Sequence, residues 1–569
     1  MDAIRAARML AAAAVLLLPL SARAAVFVAL VGDDPACGYR TSVLPNALQS
    51  AIDAVPTTVP PGDFHVVHVA RSGSYVGTRV LVEDRSLRIE GGYATCASAL
   101  PGGTNTTIDA TGVIGGPVRV RGTTERQTVY LAKLTLRGGS GSTGSGISIR
   151  NATVSLERVI PTGNSALRGG GIELEGTGLG ATVVANGTTR VIANTATQEG
   201  GGISCTRGGL MQLASSTEVS GNAAATSGGG IFADGCAGYA NVLARSNSSA
   251  YGGFLFTRSG LGPTTLTLGL GLGPDDPTPA LLTNEASVGG GAIFASGDDT
   301  VITIKDAVIS GNRAGSIGGG IVANTGAQVE MTRYRRLCAR GDRCSALVDN
   351  SANNGGGALA NFSGTIVFRR TFIEGNSAGG AGSAASVQGS DGFIGIRNSL
   401  VAGNAGPSVL QVRESLSEGA ARLVIDQSTI AGNLGATSVI RVNPLGTVRI
   451  SHSIVNDIPT RPAFSLPAGY VPETECSMFH EIASAVSVDP LSFAFSTPGF
   501  ADAANGNYRL RPTAEATDLC PAGTTSDPDD FEFDLRPVDA PLPNVGGPYD
   551  VGFDEYGERI LSDGFETSG

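Results

Sequence analysis

Tryptophan is absent from this 569-residue chain, lysine occurs only at Lys133 and Lys305, and charged residues make up just 16% of it. With a net charge of −11, the chain cannot draw on the counterion release that drives nucleic-acid binding, so DNA and RNA are excluded as partners. What local positive charge exists must come from arginine. Beyond the N-terminal segment no run of about 20 apolar residues occurs, so no helix is expected to cross a membrane. Disorder is excluded as well, because Val, Ile and Leu recur in short alternating runs. No cysteine pair has the close spacing of a thiolate zinc site, and no metal or cofactor is expected.

The N-terminus reads as a targeting segment. Arg5 and Arg8 precede the apolar run Met9–Leu20, and Ala22-Arg23-Ala24 supplies a small-x-small cleavage signal. Residues 1–24 are therefore assigned to a signal peptide and the chain to a secreted or cell-surface location. Eight cysteines in an exported chain imply disulfides: Cys37, Cys96, Cys205, Cys236, Cys338, Cys344, Cys476 and Cys520 fall into four sequential pairs.

Glycine is the commonest oddity, at 82 residues, and much of it sits in a repeat. Segments such as GNSALRGGGI (163–172), GNAAATSGGGI (221–231), NEASVGGGAI (284–293) and GNRAGSIGGGI (311–321) recur along the chain. Their asparagines are Asn164, Asn194, Asn222, Asn247, Asn284, Asn312, Asn350, Asn376, Asn404 and Asn433. A second pattern precedes Asn312, Asn376, Asn404 and Asn433. Ile302, Ile304, Ala307 and Ile309 relate to Asn312 as Ile366, Phe368, Thr371 and Ile373 relate to Asn376. Alternation with period two marks a strand with one buried face, and the two-residue break marks a corner.

A unit of strand, corner, short strand, Gly-Asn turn and glycine-opened strand cannot bury its apolar face alone. Stacked copies can, and a coil of about 25 to 30 residues with three short strands defines an all-β fold, a single right-handed parallel β-helix solenoid. Asparagine is expected in the left-handed region at the turn, bonded through its amide to the next asparagine. Glycine is expected where adjacent backbones approach closely. Cys205 and Cys236 lie about one coil apart, which makes them the firmest bridge.

Caps are expected at both ends. Leu44, Ala47, Leu48, Ala51, Ile52 and Val55 share one helical face, giving an N-terminal helical cap over 25–65 and a solenoid over 66–464. Residues 465–569 form an irregular C-terminal closing segment and tail.

The layout CGYRTSVLPNALQSAID followed by short strands and GGY resembles exported right-handed parallel β-helix proteins of the pectin-lyase-like superfamily. The repeated Gly-Asn and GGGI elements are similar to those of polymorphic outer-membrane proteins. The ending YRLRPTAEATD…YDVGFDEYG looks like the closing segment of bacterial surface β-helix proteins. The resemblance implies the β-helix fold. Polymorphic membrane proteins end in an outer-membrane barrel, and the strands and terminal aromatic residue of such a barrel are not found in this sequence.

Polysaccharide lyases and hydrolases share that fold, and such an activity requires a set of positioned carboxylates. Asp298-Asp299 resembles the paired aspartates of polygalacturonases, but the accompanying Asn-Thr-Asp, Gly-His-Gly and Arg-Ile-Lys elements are missing. Asp33-Asp34, Asp275-Asp276 and Asp529-Asp530 are the other acidic pairs. His452 occupies a corner slot filled elsewhere by Asp306, Arg370, Asn398 and Gln427, which reads as an outward surface position. The strongest local anomaly is MTRYRRLCARGDRC (331–344), basic within an acidic chain. Its Arg333, Arg335, Arg336 and Arg340 suit acidic glycans or phosphates, and Arg340-Gly341-Asp342 between Cys338 and Cys344 resembles an integrin-binding loop. The expectation is a non-enzymatic, adhesin-like or glycan-contacting protein with a polysaccharide or cell-surface glycan or protein as partner. The alternative is a lyase or hydrolase of an acidic polysaccharide, with calcium entering only in that case.

Overall fold

The computed structural model describes residues 26–553 apart from 30–36, 41–42, 45, 58–63, 72, 144–145, 187, 270–277, 336–343, 381, 414–419, 436, 458–460, 481–487, 496–497, 512, 522–527, 532, 534–535 and 537–546. The signal segment assigned to 1–24 lies outside these residues.

Within one coil, strands run Ile293–Ser296, Thr300–Lys305, Val308–Ser310 and Arg313–Ala314; the next coil repeats them as Ile321–Asn324, Gln328–Thr332, Ala346–Val348 and Ser351–Ala352. Each pairs in parallel with its counterpart, as in Ile293↔Ile321, Ile302↔Val329, Ile309↔Leu347 and Ala314↔Ala352. The chain is a right-handed parallel β-solenoid of about 12 turns. It has four strand columns where the sequence pattern gave three. The additional column is a nine-stranded sheet of pieces as short as Arg313–Ala314, too brief to carry an alternating signal. In two coils the first three columns merge into single long strands, Ile203–Ser220 and Ile231–Arg245. Inward residues of every coil join one core that runs from Ala47 to Phe479.

The corners explain the repeat. After the second column one residue takes the left-handed conformation: Asp306 (φ 47), Arg370 (φ 52), Asn398 (φ 45), Gln427 (φ 46) or His452 (φ 47). At the next corner the left-handed residue is the one before the asparagine, as at Gly311 (φ 64), Ala193 (φ 55) and Asp349 (φ 55). This corrects the expectation that asparagine itself sits there. Asparagine is selected for its amide. Asn312 Nδ2 donates to Asn350 Oδ1 and to Leu281 O, both at 2.9 Å, while its Oδ1 accepts from Nδ2 and from the backbone N–H of Asn284, both at 2.9 Å. The same bond links each asparagine to the next from Asn164 to Asn433, every one of them buried.

Glycine has two distinct duties at the fourth corner. Gly318 adopts φ +63, and a Cβ on Gly319 would lie 2.4 Å from the Gly357 carbonyl oxygen of the following coil. Only glycine allows the first conformation without strain and the second approach at all.

A second buried ladder was not anticipated. Backbone N–H groups of Thr371, Ser399, Ser428, Ser453 and Ser477 donate to the hydroxyls of Ser399, Ser428, Ser453, Ser477 and Ser492 at 3.0–3.2 Å. It carries the stack past Asn433, where the amide ladder ends.

The N-terminal cap forms as expected around the helix Ala47–Asp53, whose Ala47, Leu48, Ala51 and Ile52 are buried. Its Gln49 side chain behaves like a strand residue: Nε2 donates to Leu81 O at 2.9 Å and Oε1 accepts from Leu81 N at 2.8 Å. One amide thus satisfies both polar groups of a residue on the outermost strand of the first column. Arg85 Nη1 closes the helix by donating to the carbonyls of Ile52, Asp53 and Val55 at 3.1, 2.6 and 2.8 Å.

Disulfides join Cys37 to Cys96, Cys205 to Cys236 and Cys476 to Cys520. Cys338 lies outside the described residues.

Asn312→Ala removes the amide and leaves buried donors on Asn284 without an acceptor. The expected destabilisation is about 2–4 kcal/mol, read as a lower denaturant midpoint. Asn312→Asp, which keeps the acceptor but loses the donor, should fall between the two.

Candidate functional site

The basic interruption at 331–344 divides between buried and undescribed residues. Arg336, Arg340, Gly341, Asp342 and Arg343 lie outside the described residues. Arg333 and Arg335 are only 3% and 8% exposed, which corrects their expected role as glycan contacts. Asp306 draws this stretch inward, accepting the backbone N–H of Tyr334 at 2.7 Å and of Arg335 at 3.2 Å, and pairing with Arg335 Nε at 3.2 Å. Arg333 Nε donates to Arg335 O at 2.8 Å, and its guanidinium lies 5.1 Å from the centre of the Phe531 ring.

Phe531 belongs to the closing segment, which folds back along the flank of the solenoid. Cys520 is bonded to Cys476. From there Gly552 N donates to His452 O at 2.9 Å, and Phe553 N to Thr429 Oγ1 at 3.3 Å. Asn398 Nδ2 donates to Asp529 O at 3.1 Å, and Arg370 Nε to Asp530 O at 2.7 Å. Arg370 also pairs with the Asp529 carboxylate and stands 4.6 Å from the Phe533 ring centre. Phe531 and Phe553 pack on Leu400 and Ala402 of the third column. His452 is consequently 1% exposed rather than a surface residue, with Nδ1 3.5 Å from Asp426 Oδ1. In this corner slot Arg370 and Asn398 bond to the strap, Asp306 bonds to Tyr334 and Arg335, and His452 is covered by it.

Among the described residues the remaining candidates do not assemble a catalytic set. Asp529 and Asp530 fasten the strap, Asp298 and Asp299 occupy an exposed turn, and Asp33-Asp34 and Asp275-Asp276 lie outside the described residues. His68 stacks on Tyr93 at 4.3 Å, and burial lowers its pKa. His480 Nε2 is bonded to Arg461 O. Among the described residues no group of three or more His, Cys, Asp or Glu is placed to hold a metal ion.

A different surface stands out. On the outer face of the first column, coil-to-coil register aligns Arg119, Ser148, Glu173, Ser204, Phe232, Phe256 and Phe294. The three phenylalanines are buried and stack nearly parallel, with centroids 5.8 and 5.4 Å apart. Arg258 lies over Phe232 at 5.0 Å, held by Asp234 at 2.5 Å and Glu199 at 3.4 Å. Next to this row the carboxylates are clamped by arginines: Glu175 by Arg150 at 2.6 Å and by Arg207, and Glu199 by Arg168 at 3.2 Å and by Arg258.

At the N-terminal end of the face the balance changes. Among the described residues Arg79, Arg119 and Arg121 form no ion pair within 4.0 Å; Glu83, the register partner of Arg121, acts on Arg119 from a distance, and Asp84 feels the charge of Arg121. Arg119 is lowered in pKa by burial and then by the charges of Arg79, Arg150 and Arg121, against the opposing pull of Glu83, so three guanidinium groups lie within electrostatic reach of Arg119. Beyond Ser148, burial raises the pKa of Glu173 against the opposing pull of Arg150 and the Ser148 hydrogen bond. The sequence did contain a signal for this cluster. In VRVR (118–121) and ISIR (147–150) alternation sends each arginine outward, and the strands pair so that Arg121 meets Arg150.

The chain matches no protein-family model and no curated protein. Its class is therefore set by its architecture, a capped, disulfide-bearing parallel β-solenoid with an arginine-rich outer face.

Arg370→Met removes the ion pair and the carbonyl contact while keeping an apolar stem at the corner. Limited proteolysis should then cut within 500–553 on the order of tenfold faster, with the solenoid core still resistant. Equal cleavage rates would show that the strap does not depend on this anchor.

Proposed function

We propose that this chain is an exported or cell-surface β-solenoid that contacts acidic glycans without turning them over. The observation that carries the reading is the register of Arg119 and Arg121 against the strand of Arg150, with Arg79 also within electrostatic reach of Arg119, on a protein of net charge −11. Glu175 pairs with Arg150 and Glu83 opposes Arg119, which leaves the guanidinium groups in excess. Holding like charges together on a rigid wall raises the local potential and favours an anion that spans several of them. Guanidinium groups also bind carboxylate and sulfate in a planar, two-point fashion. Neighbouring coils stack about 4.8 Å apart, so the arginines form a stepped row suited to a polymer rather than to a single small anion.

Three disulfides are compatible with an extracellular setting, and the likeness to pectin-lyase-like and polymorphic outer-membrane proteins supports export to the surface. The alternative, a lyase or hydrolase, needs carboxylates poised for acid–base work. On this face Glu175 and Glu199 are each engaged by two arginines, which favours binding over turnover.

Polygalacturonate and a neutral glucan offered to the purified protein separate the readings. The acidic polymer should bind, with affinity falling as salt rises, and Arg119→Ala with Arg121→Ala should weaken it by about tenfold or more. Unsaturated or reducing-end products, with or without added calcium, would overturn the non-enzymatic reading.

A further inference from the structure

Glu173 lies on the same outward row as Arg119, separated from it by Ser148 alone. Although it points outward, it is 7% exposed, because the coils on both sides close over it. Its surroundings are specific. Ser148 Oγ of the preceding coil donates to Oε2 at 3.2 Å, and Ser204 of the following coil is its register partner. The charged groups facing it are Arg150 on the preceding coil, Glu175 on its own strand and Arg168 from the short fourth-column strand that precedes it. Arg150 and Arg168 are already committed to Glu175 and Glu199. Glu173 thus has no arginine of its own, in contrast to its two neighbours.

Resting on the acidic-glycan reading of this face, we propose that Glu173 is a proton-operated regulator of the arginine cluster, so that the face holds a polyanion more tightly in mildly acidic medium than in alkaline medium. Ionised Glu173 sets a negative charge beside Arg150 and two strands from Arg119 on the same row, adding to that of Glu83 and reducing the positive potential an incoming polyanion meets. A protonated Glu173 removes that charge without moving any coil. Burial raises the pKa of this carboxyl, so the change falls above the usual glutamate range, at a pH where sulfate groups remain fully charged.

The sign of the linked stability effect follows. A carboxyl whose folded pKa exceeds its unfolded value binds a proton more strongly in the folded chain. Folding stability therefore declines as pH rises from the unfolded value through the folded one, and the penalty is complete above both. Glu173→Gln, which keeps the shape and accepts the same hydroxyl, should abolish that penalty.

The test uses the full chain and dextran sulfate, a polyanion that does not titrate in the range, with uncharged dextran as control. Wild-type affinity is expected to increase on the order of threefold to tenfold between pH 8 and pH 5. Glu173→Gln should bind at the tight level at both pH values and unfold at a higher denaturant concentration than wild type at pH 8. Arg119→Ala should weaken binding at both. Binding that is equally tight at both pH values in wild type, or a pH response retained in Glu173→Gln, overturns the regulator while leaving the glycan reading intact. Failure of wild type and Glu173→Gln to bind dextran sulfate at either pH overturns both.

Discussion

Everything in this molecule depends on keeping successive coils in exact register. A parallel stack gains hydrogen bonds and burial only when each inward residue lies over its counterpart, and a one-residue slip would turn the whole apolar set outward. The buried amide ladder enforces that alignment. Each asparagine is both donor and acceptor to its neighbours, so a slipped coil would strand several buried polar groups at once. The hydroxyl ladder extends the same control to Ser492, with smaller side chains at a different corner. Varied loop lengths between coils are tolerated because register is fixed at the corners and not by the loops.

Corners impose a conformational demand that side chains then exploit. Five successive residues after the second column take the left-handed conformation regardless of type, from Arg370 to Cys476. Non-glycine residues at these positions are sustained by their surroundings. Here the surroundings are the closing strap, which bonds to Arg370, Asn398 and Cys476 and covers His452. A row that is variable in sequence is therefore unified by what lies against it. The C-terminal segment closes the molecule along its side as well as at its end.

The sequence was most legible where a pattern repeats. Ile302, Ile304, Ala307 and Ile309 marked one inward face, and all four are buried; the helix at 47–53 and the asparagine contacts followed from the same logic. Legibility failed where the decisive partner is remote. Nothing near His452 announces that Gly552 will pack on it, and Arg333 reads as basic surface until Phe531 is seen above it. The fourth strand column escaped because two residues cannot display a period. The arginine cluster was missed for a related reason. Arg79, Arg119, Arg121 and Arg150 are spread over three coils, and only the coil repeat gathers charges that are dispersed in sequence, unlike the contiguous basic run at 331–344.

The amide ladder has a direction. From Asn164 to Asn404 each Nδ2 donates forward, to the asparagine of the next coil toward the C-terminus, and the ladder ends on Asn433 as acceptor. Within the ladder the two faces of a coil are therefore different, one presenting a donor and the other an acceptor, and each junction from Asn164 to Asn433 repeats the same bond. A chain emerging in the direction of synthesis meets, at each finished coil, a template that accepts only one kind of continuation. Deleting or duplicating a whole coil would leave the faces still matched. The length of the wall is thus free to vary in descent while its cross-section is not, which makes the number of turns the most readily altered property of this architecture.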